Sequence, residues 1–587
     1  MNLYTGKVLK VDLTQKKIKV ESLNKKFVRD FWGGWGLAGR YFWEEVSPQV
    51  NPLSPENAIV IMTGPLCGTL APMTSRLCLV SKSPHTGTIM ETNVGGAFGP
   101  ELKFAGFDGI IIMGSSDTLV YLQIENDKVE LKEAIALKGK GIFETDTILK
   151  KVMGAPEAKT LAIGPAGENL VTYACIGSEA YRQMGRGGAG ALFGSKNLKA
   201  IVCRGSGGVQ VADMKVFLER VSHYQGTNLL GGDNLWANTD GTSVLVRVTN
   251  EMGIHPTRNF TLGINERYSS LDSEAIKKAK RGDRACSSCP LACGKFTRVS
   301  GAEVEGPEYE TICLAGSNCA INNLEQVIRF NQLCDDFGLD TISCGNTIAL
   351  AMDMTERGYH DFDLNFGKAE EYLKVVPEIA TVATERGVDL SLGAKKLAEK
   401  YNARGLSAEI KGMECPAYEP RGNYGMGLAY ATSERGACHL RAFTIFEKDP
   451  FDMDALVRCV IRGQNFNAIK WSMCICDFWG TVDTSIMAVL LSAGLGKEVK
   501  AEDLDKAGER IWNLTRLFNL RAGFTAADDT LPQKIMTQAL QNGPHKGRVF
   551  SAKDFAVMKQ SYYFLRGWDE GGNPTKERLE GLGLEQL

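Results

Sequence analysis

The sequence predicts an α+β protein in which a β-rich first third is followed by two mainly α-helical regions. Three observations predict it. Apolar runs of strand length alternate with glycine-rich breaks over the first 208 residues. Helical periodicity takes over after the break Gly205-Ser206-Gly207-Gly208. The stretch Cys415-Pro416-Ala417-Tyr418-Glu419-Pro420-Arg421-Gly422-Asn423 then divides the helical part. The expected domains are residues 1–208, 209–415 and 416–587, consistent with a 587-residue chain at roughly 100–200 residues per domain.

The elements follow in order. Lys7 to Leu13 and Lys17 to Val20 alternate as an opening hairpin, and Ala58 to Met62, Leu77 to Val80, Gly109 to Ile112, Val120 to Ile124 and Ala200 to Cys203 read as further strands. Glycine is dense between them, at Gly33-Gly34, Gly95-Gly96 and Gly185 to Gly194, where backbone can approach a ligand. Met214 to His223, Leu324 to Phe337, Ala369 to Arg386 and Ala501 to Phe518 carry helical periodicity.

Composition excludes several functions. A net charge of −2 with no long basic block argues against a nucleic-acid partner. The apolar runs are strand-sized, so no membrane span is expected, and the N-terminus Met1-Asn2-Leu3-Tyr4-Thr5 has no apolar signal core. A cytoplasmic protein is expected. There the 16 cysteines are buried thiols or metal ligands rather than disulfides.

Cys286-x-x-Cys289-x-x-x-Cys293, on a loop broken by Pro290 and Gly294, is the sharpest local signal. Three thiolates at this spacing converge on zinc or an iron–sulfur cluster. Zinc ribbons use two CxxC pairs and this chain has no second one, so a [4Fe–4S] cluster is favoured. Its fourth ligand must be distant, and Cys474 and Cys476 are the candidates. Gly185-Arg186-Gly187-Gly188-Ala189-Gly190 matches GxGxxG without a clear preceding strand or a following acidic residue, which disfavours a nicotinamide. Arg182 and Arg186 beside permissive backbone suit a phosphate-bearing ligand. Asp335-Asp336-Phe337-Gly338-Leu339-Asp340 reads locally as a helix–helix turn, with Gly338 ending one helix and Asp340, Thr341 or Ser343 capping the next. Taken singly, Glu310 and His439 are more readily structural than catalytic.

In combination these motifs resemble the aldehyde:ferredoxin oxidoreductase family over essentially the whole chain. Thr74-Ser75-Arg76, Ser81-Lys82-Ser83-Pro84, Thr92 to Gly99, Gly185 to Lys199 and the closing Tyr562 to Asp569 carry the likeness. The resemblance implies a β-rich base for a tungsten bis-pterin, closed over by two helical domains. Arg76, Asn93, Gly95, Arg182, Gln183, Gly185 and Arg186 would contact the pterin phosphates or the Mg2+ joining them, while Asp335, Leu339 and Asp340 would hold one pterin. Cys286, Cys289, Cys293 and Cys476 would bind one [4Fe–4S] cluster, Arg441 would stand near the cofactor, Ile475 would touch it, and Glu310 and His439 would face the metal. The implied activity is oxidation of an aldehyde to a carboxylate, with Glu310 as general base and His439 passing a proton. Electrons would leave through the cluster to ferredoxin or an iron–sulfur partner subunit, within a homo- or hetero-oligomer.

Three departures stand out. The family's second DxxGLC copy reads Trp471-Ser472-Met473-Cys474-Ile475-Cys476, lacking its aspartate and glycine; Gln183 replaces a small residue; and no ExxH-type iron motif lies between Leu324 and Cys334. The rival expectations are an aryl-CoA reductase-like subunit of the same fold, a non-catalytic iron–sulfur scaffold, and a zinc-stabilised helical protein.

Overall fold

A computed structural model describes residues 1–230, 235–300 and 302–587. The first third builds two six-stranded sheets from β1 Lys7–Asp12, β2 Lys17–Ser22, β3 Ile59–Thr63, β4 Leu77–Lys82, β5 Ile89–Val94, β6 Gly109–Met113, β7 Val120–Glu125, β8 Lys128–Glu133, β9 Lys159–Ala162, β10 Ile176–Ser178, β11 Arg182–Met184 and β12 Leu198–Arg204. The orders are β2-β1-β6-β3-β4-β5 and β11-β10-β9-β12-β7-β8. Pairing is antiparallel except at β1–β6 and β7–β12.

Side chains alternate across a strand, so a sheet covered on both faces needs two apolar sets. The first sheet has both. Leu9, Val11, Ile59, Ile61, Leu77, Leu79, Ile110 and Ile112 enter a core shared with Leu122, Ile124, Leu161 and Ile201 of the second sheet. Their neighbours Val8, Val60, Met62, Cys78, Val80 and Ile111 face the other way, into the large core of the helices. The helix Gly34–Glu45 lies on that second face against β3 and β4, and the helices Met453–Ser472 and Ala501–Arg521 pack on it. Trp35 joins them, 5.8 Å from Trp471 and 6.2 Å from Trp512 between ring centroids. Truncating such a fully buried indole costs about 3–5 kcal/mol.

The expected helices at Met214, Leu324 and Ala501 are present as Met214–Tyr224, Leu324–Phe337 and Ala501–Arg521. The single helix expected over Ala369 to Arg386 is instead two, Ala369–Thr381 and Glu385–Leu390. Val382 ends the first in left-handed backbone, Thr384 caps the second through the Gly387 N–H, and Arg386 turns back onto Glu378 and Glu371. The middle region also holds an antiparallel three-stranded sheet, β13 Lys280–Arg284, β14 Gly294–Val299 and β15 Ala302–Glu305. The glycine motif does follow a strand, the short β11, and opens the helix Ala189–Ser195. Among the described residues no helix is long and apolar enough to cross a membrane.

Candidate functional site

The edge of the first sheet, the loop between β13 and β14, the turn after Phe337 and the segment around His439 converge on one cavity of about 1700 Å³. Arg76, Asn93, Gly95, Arg182, Gln183, Gly185, Arg186, Asp335, Leu339, Asp340, Glu310, His439 and the cysteines 286, 289, 293 and 476 all line it. These residues span some 400 positions of sequence, and the fold brings them together.

The cysteines separate by exposure. Cys286, Cys289, Cys293 and Cys476 are partly exposed into the cavity, whereas the other twelve are buried. Cys474, the alternative fourth ligand, is packed 3.9 Å from Cys78 and does not line the cavity. A Cβ on Gly95 would stand 2.8 Å from the Cys286 sulfur, so a residue without a side chain keeps room beside the thiols. Among the described residues no three His, Cys, Asp or Glu side chains are gathered tightly enough for a single ion. Zinc needs its thiolates about 2.3 Å from one point. Four thiols on one cavity wall are the donor set that an iron–sulfur cluster takes, one thiolate on each iron.

The charged cradle is built from strand ends and helix caps. Arg76 precedes β4 and bonds Asn93 on β5, with its second terminal nitrogen 3.4 Å from the Cys476 sulfur. Arg182, opening β11, lies 2.5 Å from Glu305 at the end of β15. Arg186 donates to the carbonyls of Ala437 and Glu414 and reaches Asp340 at 3.4 Å. Gly338 ends the helix Leu324–Phe337 at φ +78°, and Asp340 caps Thr341–Glu356 through the Ile342 and Ser343 N–H groups. The turn is thus a helix–helix joint and a cavity wall together. Asp335 accepts from Gln183 at 3.2 Å and Asn331 at 3.0 Å, and burial pushes its carboxyl up. One buried polar atom, the Arg76 Nε, has no partner here, while an Arg182 terminal nitrogen and Asp477 Oδ2 are held only by ion pairs, with Glu305 and with Arg76 at 3.6 Å. Buried groups are ordinarily satisfied, so this cradle fits a polar, phosphate-bearing ligand.

Glu310 follows Tyr309 into a short helical turn, and its Oε2 accepts the Ala417 N–H at 3.0 Å. Its Oε1 has no hydrogen-bond partner and lies 3.6 Å from His439 Nε2, whose Nδ1 is also unpaired. Burial, outweighing the Ala417 bond and the Arg186 charge, pushes Glu310 up to about 8. Burial and then Arg186 and Arg435 press His439 down to about 3. At neutral pH the pair is a protonated carboxyl facing a neutral imidazole.

Arg441 and Ile475 are not at the cavity. Arg441 is fully buried, paired with Glu91 and Glu434 and stacked 4.6 and 4.7 Å from the Trp35 and Trp471 rings. Ile475 is fully buried in the helical core. Sequence reasoning missed Tyr418, whose ring lies 5.5 Å from that of His439, and Asp477, which pairs with Lys470 at 2.7 Å. The position of Asp477 directly after Cys476 was the available signal.

Comparison with known proteins bears on the family. The family model described as aldehyde ferredoxin oxidoreductase, N-terminal domain, matches residues 8–205, and that for domains 2 and 3 matches residues 228–584. The chain is 40% identical to the tungsten-containing aldehyde ferredoxin oxidoreductase of Pyrococcus furiosus, over 99% of both chains, and 40% identical to that of Thermococcus kodakarensis over the same shares. It is 30% identical to the aliphatic sulfonate oxidoreductase, WOR-like subunit, of Pyrococcus furiosus, covering 100% of this chain and 97% of that one. Among solved structures, the active site complex BamBC of benzoyl coenzyme A reductase with 1,5-dienoyl-CoA superposes with a TM-score of 0.87 at 27% identity, covering 100% of this chain and 98% of that one. A β-rich base, its helical cover and near-full-length identity together place this chain in the aldehyde ferredoxin oxidoreductase family.

Proposed function

We propose that the protein oxidises aldehydes to carboxylates at a tungsten bis-pterin, passing electrons singly through a [4Fe–4S] cluster to ferredoxin or an iron–sulfur partner subunit. The observation that carries this reading is the opening of four part-exposed thiols and an unpaired Glu310–His439 couple onto one cavity. Arg76, Arg182 and Arg186 would hold the pterin phosphates with Mg2+, and Asp335, Leu339 and Asp340 one pterin. The four cavity cysteines would hold the cluster. When bound, the pterin centre supplies the two-electron oxidation of the carbonyl carbon.

The chain's own residues manage protons. Converting an aldehyde and water to a carboxylate releases two electrons and three protons. Below about pH 8 Glu310 already carries a proton, and neutral His439 offers a ring nitrogen as a hydrogen-bond acceptor that orients water or an aldehyde hydrate. Glu310 becomes the base once its Oε1 ionises, above about pH 8. Tyr418 and Phe443 form an apolar wall beside the pair.

The test is an anaerobic preparation analysed for tungsten and about four irons per chain, then offered an aldehyde and a low-potential dye. Dye reduction that depends on aldehyde supports the reading; a protein without tungsten, or one inert to every aldehyde, overturns it. The superposition on the benzoyl coenzyme A reductase complex supports a second reading, reduction of an aryl thioester. An aryl-CoA offered with a low-potential donor separates the two.

A further inference from the structure

The Glu310–His439 pair stands at the inner end of a run of rings. Tyr418 lies 5.5 Å from His439, Phe443 meets Tyr418 edge-on at 5.0 Å, and Phe446 meets Phe443 at 5.8 Å. All line the cavity. Exposure rises outward along the run, from 2% at Tyr418 to 37% at Phe443 and 66% at Phe446. A lone exposed phenylalanine needs no explanation, but contiguous apolar surface leading into a polar cavity marks a binding surface. The cavity gains an aliphatic face from Val244, Leu245 and Val248, which share one side of the helix Val244–Glu251. Beside the run, Glu447 is held by Cys459 Sγ at 3.1 Å and Arg462 at 3.9 Å. Of the cavity's arginines, 76, 182 and 186 sit on the cradle, paired with Asp477, Glu305 and Asp340, while Arg462 lines the cavity beside Glu447.

We propose that the Tyr418–Phe443–Phe446 wall is the substrate subsite and selects aryl and other flat apolar aldehydes over short-chain and anionic ones. The proposal rests on the aldehyde reading of the dyad. An aryl ring takes up offset and edge contacts with the wall and leaves water on both faces, whereas a two-carbon aldehyde reaches the dyad without touching Phe446. A phosphorylated aldehyde would meet, along this run, an Arg462 guanidinium already engaged by Glu447.

The test compares benzaldehyde, acetaldehyde and glyceraldehyde 3-phosphate in the tungsten-loaded holoenzyme, with Phe443→Ala, Phe446→Ala and Phe443→Tyr. Wild type is expected to favour benzaldehyde over acetaldehyde in kcat/KM by about tenfold or more, with the phosphate ester poorest. Phe443→Ala is expected to shrink the benzaldehyde preference about tenfold, through KM, and Phe443→Tyr to restore it. Benzoate binding by calorimetry gives a readout without turnover, and should weaken in both alanine variants while acetate binding does not follow. An unchanged preference together with unchanged benzoate affinity in both alanine variants overturns the proposal. Ring-dependent benzoate binding in an enzyme inert to every aldehyde would retire the aldehyde reading and leave the aryl subsite standing.

Discussion

Two histidine–glutamate pairs meet among the described residues, the buried His85–Glu414 and the part-buried, cavity-facing His439–Glu310, and their carboxyls are shifted in opposite directions. In the first, Nε2 and Oε2 meet at 2.9 Å, the His85 Nδ1 lies 3.1 Å from the Thr172 hydroxyl, and Glu414 Oε1 accepts the Ala394 N–H. Burial opposes ionisation of Glu414, but the charge and hydrogen bonds gathered on it win, holding it at about 2. In the second, the contact is 3.6 Å, one oxygen and one ring nitrogen lack partners, and burial wins, lifting Glu310 to about 8. Both carboxyls are desolvated. What separates them is whether the protein supplies partners, and the pair left short is the one facing the cavity.

The comparison breaks most directly at turnover. Above pH 8, where Glu310 is the base, Glu310→Gln is expected to lower kcat by ~10²–10⁴-fold with unchanged metal content, measured by dye reduction and elemental analysis. A variant with full turnover would return Glu310 to a structural role. Glu414→Ala is expected to act on folding instead, costing about 3–5 kcal/mol at the denaturant midpoint because it strands His85.

The pH dependence sharpens the contrast. The folded-state pKa of Glu310 is raised above the ordinary 4.5, so its contribution to stability is complete below 4.5 and is lost as pH rises through about 8. That of Glu414 is depressed, so its contribution is present above 4.5 and is lost as pH falls toward 2. Glu310→Gln should therefore gain stability relative to wild type between pH 6 and pH 9 in denaturant titrations. An equal difference at both pH values would show that the carboxyl is not raised. The smallest effect belongs to a like comparison among cysteines. Cys474→Ser should cost about 1 kcal/mol and keep its iron, whereas Cys476→Ser should lose iron as counted chemically.

Much of the fold was legible because β3, β4, β6, β7 and β12 are largely apolar runs of strand length and β1 alternates apolar and polar residues. β5 escaped because Glu91 and Asn93 face charged partners rather than a core, and β13 because Lys280, Arg281 and Arg284 belong to an exposed edge. The cysteine trio was legible from spacing. The choice between Cys474 and Cys476 was not a matter of spacing, since both are two residues apart on one bend and only their directions differ. Glu310 and His439 lie 129 positions apart, and no local pattern links residues that meet only through three-dimensional packing. Arg441 was expected beside the cofactor, but its two carboxylates and two indoles hold it in the layer beneath.

One consequence follows from β5. Along it Ile89, Glu91 and Asn93 face the helices and the cavity, while Met90 and Val94 face the core between the sheets. The floor of the site is therefore a question of odd and even. Exchanging a single residue there alters one contact, but inserting a single residue ahead of Ile89 would send a carboxylate and an amide into hydrocarbon and a methionine toward Arg441. Length variation in this part of the chain has to fall in the turns at either end of the strand.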